Sequence, residues 1–327
     1  MSKTPQSSAN IQKTRLELNS SAQSLDYHRK FLQQVETKLK NLSCSSIKES
    51  QEVEISIQKK LVHCILLTFY FNEVLERCLE GLLPEKDRID VSVIENSSVY
   101  SNTIQKVVDL YREKGLVKNH FIFDKNIGTN AFEIAFDSNL LDLDYEYIIV
   151  TDGDLVPDKG WLDEQIVILE KCPEVFSVSG ELHLGNASVP LRHKILQIQN
   201  NVKFKNDLYK ERNAGWVVKT FRASDWKDFL NFRKKNNVYF HDCSVHYYAN
   251  INRNMRSATT LKSKCYHLTW DYVDNKYDEL KKSLMAETNN PWYHNRYSAF
   301  RFINDCKQEL LFPQPPEVPH QYADSIK

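Results

Sequence analysis

Two periods of apolar residues alternate along this chain, and the switches between them mark its elements. Residues 61–71 are almost continuously apolar around Cys64-Ile65-Leu66-Leu67, the pattern of a strand buried on both faces. Asn72 then stands where a helix would be capped, and Val74, Leu75, Leu79, Leu82 and Leu83 share one face before Pro84 ends it. The cycle repeats: a strand at 89–94 running into Glu95-Asn96-Ser97-Ser98, a helix at 104–111 closed by Gly115, and a strand at 120–123 leading to Asn126-Ile127-Gly128. A helix from about Ala131, a strand Tyr147-Ile148-Ile149-Val150, a helix at 161–171 and a strand at 175–179 follow. Alternation of this kind predicts an α/β fold with a mixed, mostly parallel sheet and helices on both faces.

The second half is less regular. Residues 182–212 show only weak periodicity; 215–220 reads as a strand, 223–232 as a helix, 244–251 as a helix and 259–266 as a strand ending at His267. Between them, Val238-Tyr239-Phe240-His241-Asp242 is an apolar approach to an acidic point. The expected organisation is a disordered tail at 1–24, an amphipathic helix and linker at 25–58, a catalytic domain at 59–272, and a helical extension with a proline-rich tail at 273–327. Leu25, Leu32, Val35, Leu39 and Leu42 form the stripe of the first helix, which either packs on its own domain or serves self-association through 25–42.

Charge and cysteines narrow the classes. Forty-three basic residues balance 43 acidic ones, so no global positive field invites nucleic acid. The seven cysteines are odd in number and make no CxxC pair, which disfavours a zinc site or a disulfide framework. The N-terminus lacks an apolar signal region and no apolar run approaches the ~20 residues of a membrane helix, so the expectation is a cytoplasmic protein, with peripheral membrane contact left open.

Right-handed crossovers would gather Tyr70, Glu95, Asn96, Asn126, Gly128, Asp152 and Asp154 on one edge of the sheet. If the Tyr147 strand simply continues, Asp152 and Asp154 point the same way and repel unless a divalent cation, Mn or Mg, sits between them. Gly153 would leave room for a ligand to approach the backbone. No Walker or dinucleotide glycine loop occurs, which argues against a P-loop ATPase or a nicotinamide dehydrogenase.

These segments, in this order, resemble the family 2 glycosyltransferases of the GT-A fold over residues 60–272. The resemblance rests on Leu67-Thr68-Phe69-Tyr70-Phe71-Asn72, Val93-Ile94-Glu95-Asn96-Ser97-Ser98, Asn126-Ile127-Gly128 with Asn130, Asp152-Gly153-Asp154 followed by Leu155-Val156-Pro157 and Trp161-Leu162, His241-Asp242, and His267. It implies an inverting transferase making a polysaccharide or other glycan. The donor would be a nucleotide sugar, a UDP-sugar first, and the acceptor a glycan, a lipid-linked glycan or a protein. On that pattern Asp154 and His267, with Asp152, would hold Mn or Mg, and Asp242 would be the general base. Thr68, Phe69, Tyr70, Glu95, Asn96, Lys125, Asn126, Asp152 and Gly153 would contact the donor. Glu95 stands where the family usually has Asp.

Plainer roles compete for the same residues. His267 would also serve as a buried core histidine, His241 as strand-end packing and Asp242 as a helix cap. Trp216, Trp270 and Tyr272 either stack on sugar or fill the core. Two other functions compete: a nucleotidyltransferase of similar sheet, which would want a glycine-rich basic loop where 67–76 has neither Gly nor Lys, and a catalytically silent carbohydrate-binding protein on this fold.

Overall fold

The computed structural model describes Thr37 and residues 60–69, 71–97, 101–185, 192–194, 196, 203–236, 238, 240–270 and 298–313. Its first half runs β1 (Val62–Thr68), α1 (Asn72–Leu82), β2 (Ile89–Asn96), α2 (Ser101–Glu113), β3 (Val117–Phe123), α3 (Asn130–Asp137), β4 (Tyr147–Asp152), β5 (Leu155–Pro157), α4 (Trp161–Lys171) and β6 (Val175–Leu182). Then come β7 (Lys203–Lys205), β8 (Tyr209–Glu211), β9 (Lys219–Arg222), α5 (Ala223–Asn236), α6 (Asp242–Tyr247), β10 (Arg256–His267), β11 (Phe300–Ile303) and β12 (Glu309–Phe312). All the strands belong to one sheet, in the order β12-β11-β3-β2-β1-β4-β9-β6-β10-β8-β7, with β5 paired to β10.

The mixed α/β sheet with helices on both faces is the one the periodicity predicts. β3, β2, β1 and β4 are mutually parallel, and β6 runs parallel to β10; antiparallel β9 stitches the two groups together. Strand alternation sorts β1 between two cores. Val62, Cys64 and Leu66 face the side covered by α1, α2 and α4, whereas Ile65 and Leu67 face α3, α5 and the aromatic cluster of Trp216, Trp226, Phe229 and Phe240. Because β1, β2, β3 and β4 are parallel, Thr68, Asn96, Phe123 and Asp152 all end at one edge.

Four local expectations need correcting. Phe71, not Asn72, occupies the N-cap of α1 in extended backbone, without a side-chain cap bond. The strand predicted at 215–220 begins only at Lys219, because Val218 adopts φ 41° and its N–H turns back to the Trp216 carbonyl at 3.0 Å. The helix predicted at 244–251 starts at Asp242 and passes into a π-helical turn at Tyr248–Asn252. The extension expected to be helical contains, within 298–313, a β-hairpin added to the free side of β3, so the sheet does not stop at 272. Phe300, Phe302, Leu310 and Phe312 recur at period two, and Phe300 stacks on both Phe123 and Phe312. The intervening charges mimic a helical face; the apolar spacing decides otherwise.

The expectations for 1–59, including self-association through 25–42, lie outside the described residues apart from Thr37, as do those for 271–297 and the prolines beyond Pro313. The six described cysteines are all free thiols. Among the described residues no helix is long and apolar enough to cross a membrane.

Candidate active site

β4 ends at Asp152, and the chain then turns under β1: the Gly153 N–H donates to the Leu67 carbonyl at 2.7 Å. A Cβ on Gly153 would lie 2.9 Å from Thr68 Cβ and 3.0 Å from the Leu67 carbonyl. The absent side chain therefore makes room for β1, not for a ligand as the sequence suggested. The turn hands Asp154 to β5, which pairs antiparallel with the end of β10 so that Leu155 faces His267.

This pairing brings two sequence-distant candidates together. Asp154 is 1% exposed, and its Oδ2 lies 3.5 Å from His267 Nδ1. Thr269, which the sequence did not single out, links them. Its hydroxyl donates to Asp154 Oδ2 at 2.8 Å and stands 2.9 Å from His267 Nδ1. A hydroxyl has one proton, already given to the carboxylate, so Nδ1 must be the donor to Thr269. In the neutral imidazole that tautomer leaves the lone pair on Nε2. The Leu268 N–H fixes the Asp154 carbonyl at 2.8 Å, while Asp154 Oδ1 is buried without any hydrogen-bond partner.

Asp152, half-buried at the strand end, has its pKa held well above the usual carboxylate range, first by burial and then by the negative charges of Asp154 and Asp242. Asp154 and Asp242 thus both lie within electrostatic reach of Asp152. Asp242 opens α6. Its Oδ1 accepts the Cys243 N–H at 2.8 Å and lies 2.6 Å from His241 Nδ1. His241, at the N-cap, also accepts from the Cys243 N–H at 3.2 Å, so the capping role considered for Asp242 is shared between the two side chains.

The donor-side candidates fare unevenly. Thr68 is fully buried at the end of β1, Phe69 half-buried, Lys125 exposed and Asn126 half-buried, while Tyr70 lies outside the described residues. Glu95 and Asn96 are turned inward. Asn96 donates to Asn126 Oδ1 at 2.8 Å and to the Gly128 carbonyl at 3.0 Å, and accepts from the Ile127 N–H at 2.9 Å. Its amide braces the Asn126-Ile127-Gly128 turn, and a contact to a base or ribose would have to break that brace. Glu95 Oε2 sits 3.0 Å from His120 Nε2, with both side chains fully buried. These two residues are better described as supports of the edge than as its surface.

The loop carrying Lys125 and Asn126 is held from outside by the C-terminal hairpin. The Asp124 N–H donates to the Ala299 carbonyl at 3.0 Å, the Lys125 N–H donates to Ser298 Oγ at 3.1 Å, and the Ser298 hydroxyl donates to Asp124. Trp216 is a core residue, 6% exposed and stacked on Phe240. His183 packs against Tyr266, His193 is exposed, and His246 lies by Ser257.

Fit to a divalent cation can be judged from the donors themselves. An unpartnered oxygen on a buried carboxylate is costly unless something positive completes it. Asp154 Oδ1 is such an atom, and the oxygen and imidazole donors beside it suit Mn or Mg. The one group of three acid, imidazole or thiol side chains whose ligand atoms all lie within 4.8 Å of one another, among the described residues, is His241, Asp242 and Cys243. Asp152, Asp154 and His267 are looser than that, a pair with a third carboxylate nearby.

No family model matches the chain. Three uncharacterized proteins of Acanthamoeba polyphaga mimivirus are similar to it, at 30%, 29% and 29% identity over 75%, 76% and 68% of this chain. The chain spans 28%, 35% and 47% of the lengths of those relatives. Among solved structures it is similar to the mannosyltransferase PcManGT from Pyrobaculum calidifontis, in complex with GDP-Man and Mn2+, at 13% identity and a TM-score of 0.48, covering 81% of this chain and 70% of that one. It is also similar to S. aureus TarS at 14% identity and a TM-score of 0.45 (70% of this chain, 66% of that one). A further similarity is to GalNAc-T7 with UDP, GalNAc and Mn2+, at 11% identity and a TM-score of 0.45 (63% and 43%). These likenesses are loose.

Proposed function

We propose that this chain is a metal-dependent glycosyltransferase. It moves a sugar, with inversion, from a nucleotide-sugar donor to a hydroxyl of a glycan, lipid-linked or protein acceptor. The observation that carries the reading is the Asp154–Thr269–His267 arrangement: a buried carboxylate with one unpartnered oxygen, beside an imidazole whose Nδ1 is engaged by the Thr269 hydroxyl. Asp154 and His267, with Asp152, would hold Mn or Mg. Such an ion, when bound, supplies positive charge to the departing diphosphate.

The remaining steps fall to the chain's own groups. Asp242, whose side chain is 22% exposed, would receive the acceptor's proton as the acceptor oxygen attacks the anomeric carbon and the bond from that carbon to the diphosphate breaks. The nucleoside would lie by Thr68, Phe69 and Tyr70 at the end of β1, with Lys125 and Asn126 beside the phosphates or the base. Both lie at the carboxyl ends of parallel strands, where open α/β sheets bind ligands.

The test is a panel of nucleotide sugars, UDP-sugars first, given to the full chain with Mn2+, with Mg2+ or with chelator. Nucleoside diphosphate release that needs the metal supports the reading, with loss of transfer but retention of donor binding in Asp242→Asn. Pyrophosphate release from nucleoside triphosphates and sugar phosphates would instead favour a nucleotidyltransferase. Sugar binding without turnover would favour a silent binding protein.

A further inference from the structure

One face of the sheet changes character between β4 and β8. Ile148, Val150 and Phe221 belong to the aromatic core on the side of α3 and α5. Strand register carries that face onward. Phe221 opposes Ser177, Ser177 opposes Ser257, Ser179 opposes Thr259, and Thr259 opposes Lys210. Alternation along β6 and β8 adds Glu181 and Arg212 to the same side. The apolar wall has given way to hydroxyls and charges, although Ser177, Ser179 and Thr259 are all 0% exposed. Packing alone would have placed apolar side chains there.

The charges on this strip do not balance. The buried Glu181 carboxylate is approached by both Lys210 Nζ at 3.4 Å and Arg212 Nη1 at 3.3 Å, so one acid serves two cations. Arg212, its side chain 10% exposed, also keeps its Nε–H buried without a hydrogen-bond partner, and the Thr259 hydroxyl is buried in the same state. An Nε–H can only donate. A guanidinium and a hydroxyl with spare donors, beside an ammonium, suit the oxygens of a phosphate or a carboxylate.

The strip leads to Asp242. Ser179 Oγ donates to the Ala214 carbonyl at 3.0 Å and Lys219 Nζ donates to Asn213 Oδ1 at 2.8 Å, which pins the segment that follows Arg212. Three residues on from Arg212, a Cβ on Gly215 would lie 3.5 Å from Asp242 Oδ2. Three residues span at most about 11 Å, so the cations and the carboxylate line one short stretch of the molecule. α6 closes its other side, with His246 Nδ1 3.2 Å from Ser257 Oγ.

We propose that Arg212, Lys210 and Thr259 form an acceptor subsite for an anionic group, a phosphate or a carboxylate carried by the acceptor. This rests on reading Asp242 as the proton acceptor. Glu181 holds the two cations in place and leaves one positive charge for the incoming anion. The acceptor is thereby narrowed to a phosphate-bearing or acidic glycan.

The experiment has two arms on the full chain. In the first, arginines carry 15N at Nε, and the resonance absent from Arg212→Lys is followed by NMR as inorganic phosphate, acetate or chloride is added at matched ionic strength. A saturable shift with phosphate or acetate beyond that with chloride is expected, and the larger of the two names the group. Shifts no larger than those with chloride overturn the proposal. In the second arm, sugar acceptors are compared in pairs, a phosphorylated or uronic sugar against its neutral counterpart. The unaltered chain is expected to favour the charged acceptor in kcat/KM by about tenfold or more. That ratio is expected to fall towards one in Arg212→Gln, and to fall in Lys210→Gln, which leaves the Arg212–Glu181 pair in place should the first variant fold poorly. A ratio near one in the unaltered chain, or a ratio that neither variant lowers, overturns the proposal. If no nucleotide sugar is turned over at all, the proposed function has failed, and the NMR arm alone decides whether the anion site exists.

Discussion

Asp154 and His267 meet across the antiparallel pairing of β5 with β10, Oδ2 to Nδ1 at 3.5 Å, with the Thr269 hydroxyl between them. One consequence concerns Thr269 itself. Thr269→Val removes the donor to Asp154 and the acceptor that fixes the His267 tautomer. Metal affinity is expected to fall about 10- to 100-fold, as for other groups that orient metal ligands, with the fold retained. Manganese titration of the variant in the presence of UDP checks this, and Thr269→Ser is expected to restore binding.

Gly153→Ala tests the turn beneath the acids. The added methyl meets Thr68 Cβ at 2.9 Å and the Leu67 carbonyl at 3.0 Å. Overpacking of this kind costs about 1–3 kcal/mol. Urea denaturation is expected to show that loss, and sugar transfer is expected to drop further than the stability change requires, because both Asp152 and Asp154 shift.

How much of this was legible in the sequence follows from what each feature depends on. β1 to β4 could be read because parallel strands covered by helices carry apolar runs bounded by turns, as in Cys64-Ile65-Leu66-Leu67 and Tyr147-Ile148-Ile149-Val150. The approach of His267 to Asp154 follows the motif order that carried the resemblance. The part of Thr269 was not legible, since a threonine two residues past a histidine carries no signal of its own. The inward turn of Glu95 and Asn96 depends on His120 and on the Asn126 turn, contacts between strands that no local pattern records. The hairpin at 300–312 was hidden by its charges.

Acid stability should report on His63. Burial lowers this imidazole to about 4, while its ring nitrogens hold the Asp142 carbonyl and Ser92 Oγ, each at 2.7 Å. Because the folded value is depressed below the ordinary 6.5, its contribution is complete above about pH 6.5 and is lost as pH falls towards 4. The loss is about 3 kcal/mol by proton linkage. Urea unfolding of His63→Gln is expected to show a shallower fall in stability between pH 6.5 and 4 than the unaltered chain.

A buried ion network ties α5 to α3: Arg233, 2% exposed, pairs with Glu133 at 3.2 Å and with Asp137. Arg233→Met would take the guanidinium from two buried carboxylates, with Lys234 still 3.2 Å from Asp137, and is expected to cost about 3–5 kcal/mol. The triple variant Arg233→Met with Glu133→Gln and Asp137→Asn is expected to recover much of that loss. Thermal denaturation of the two variants side by side checks both expectations.

The central claim is that Asp154 and His267 create, with Asp152, a cation site that a nucleotide diphosphate completes. Isothermal calorimetry of Mn2+ binding to the chain saturated with UDP or GDP tests it most directly. The account predicts one manganese per chain in the presence of the matching nucleotide, and no detectable binding in Asp154→Ala under the same conditions. Equal manganese affinity in the unaltered chain and in Asp154→Ala would contradict it.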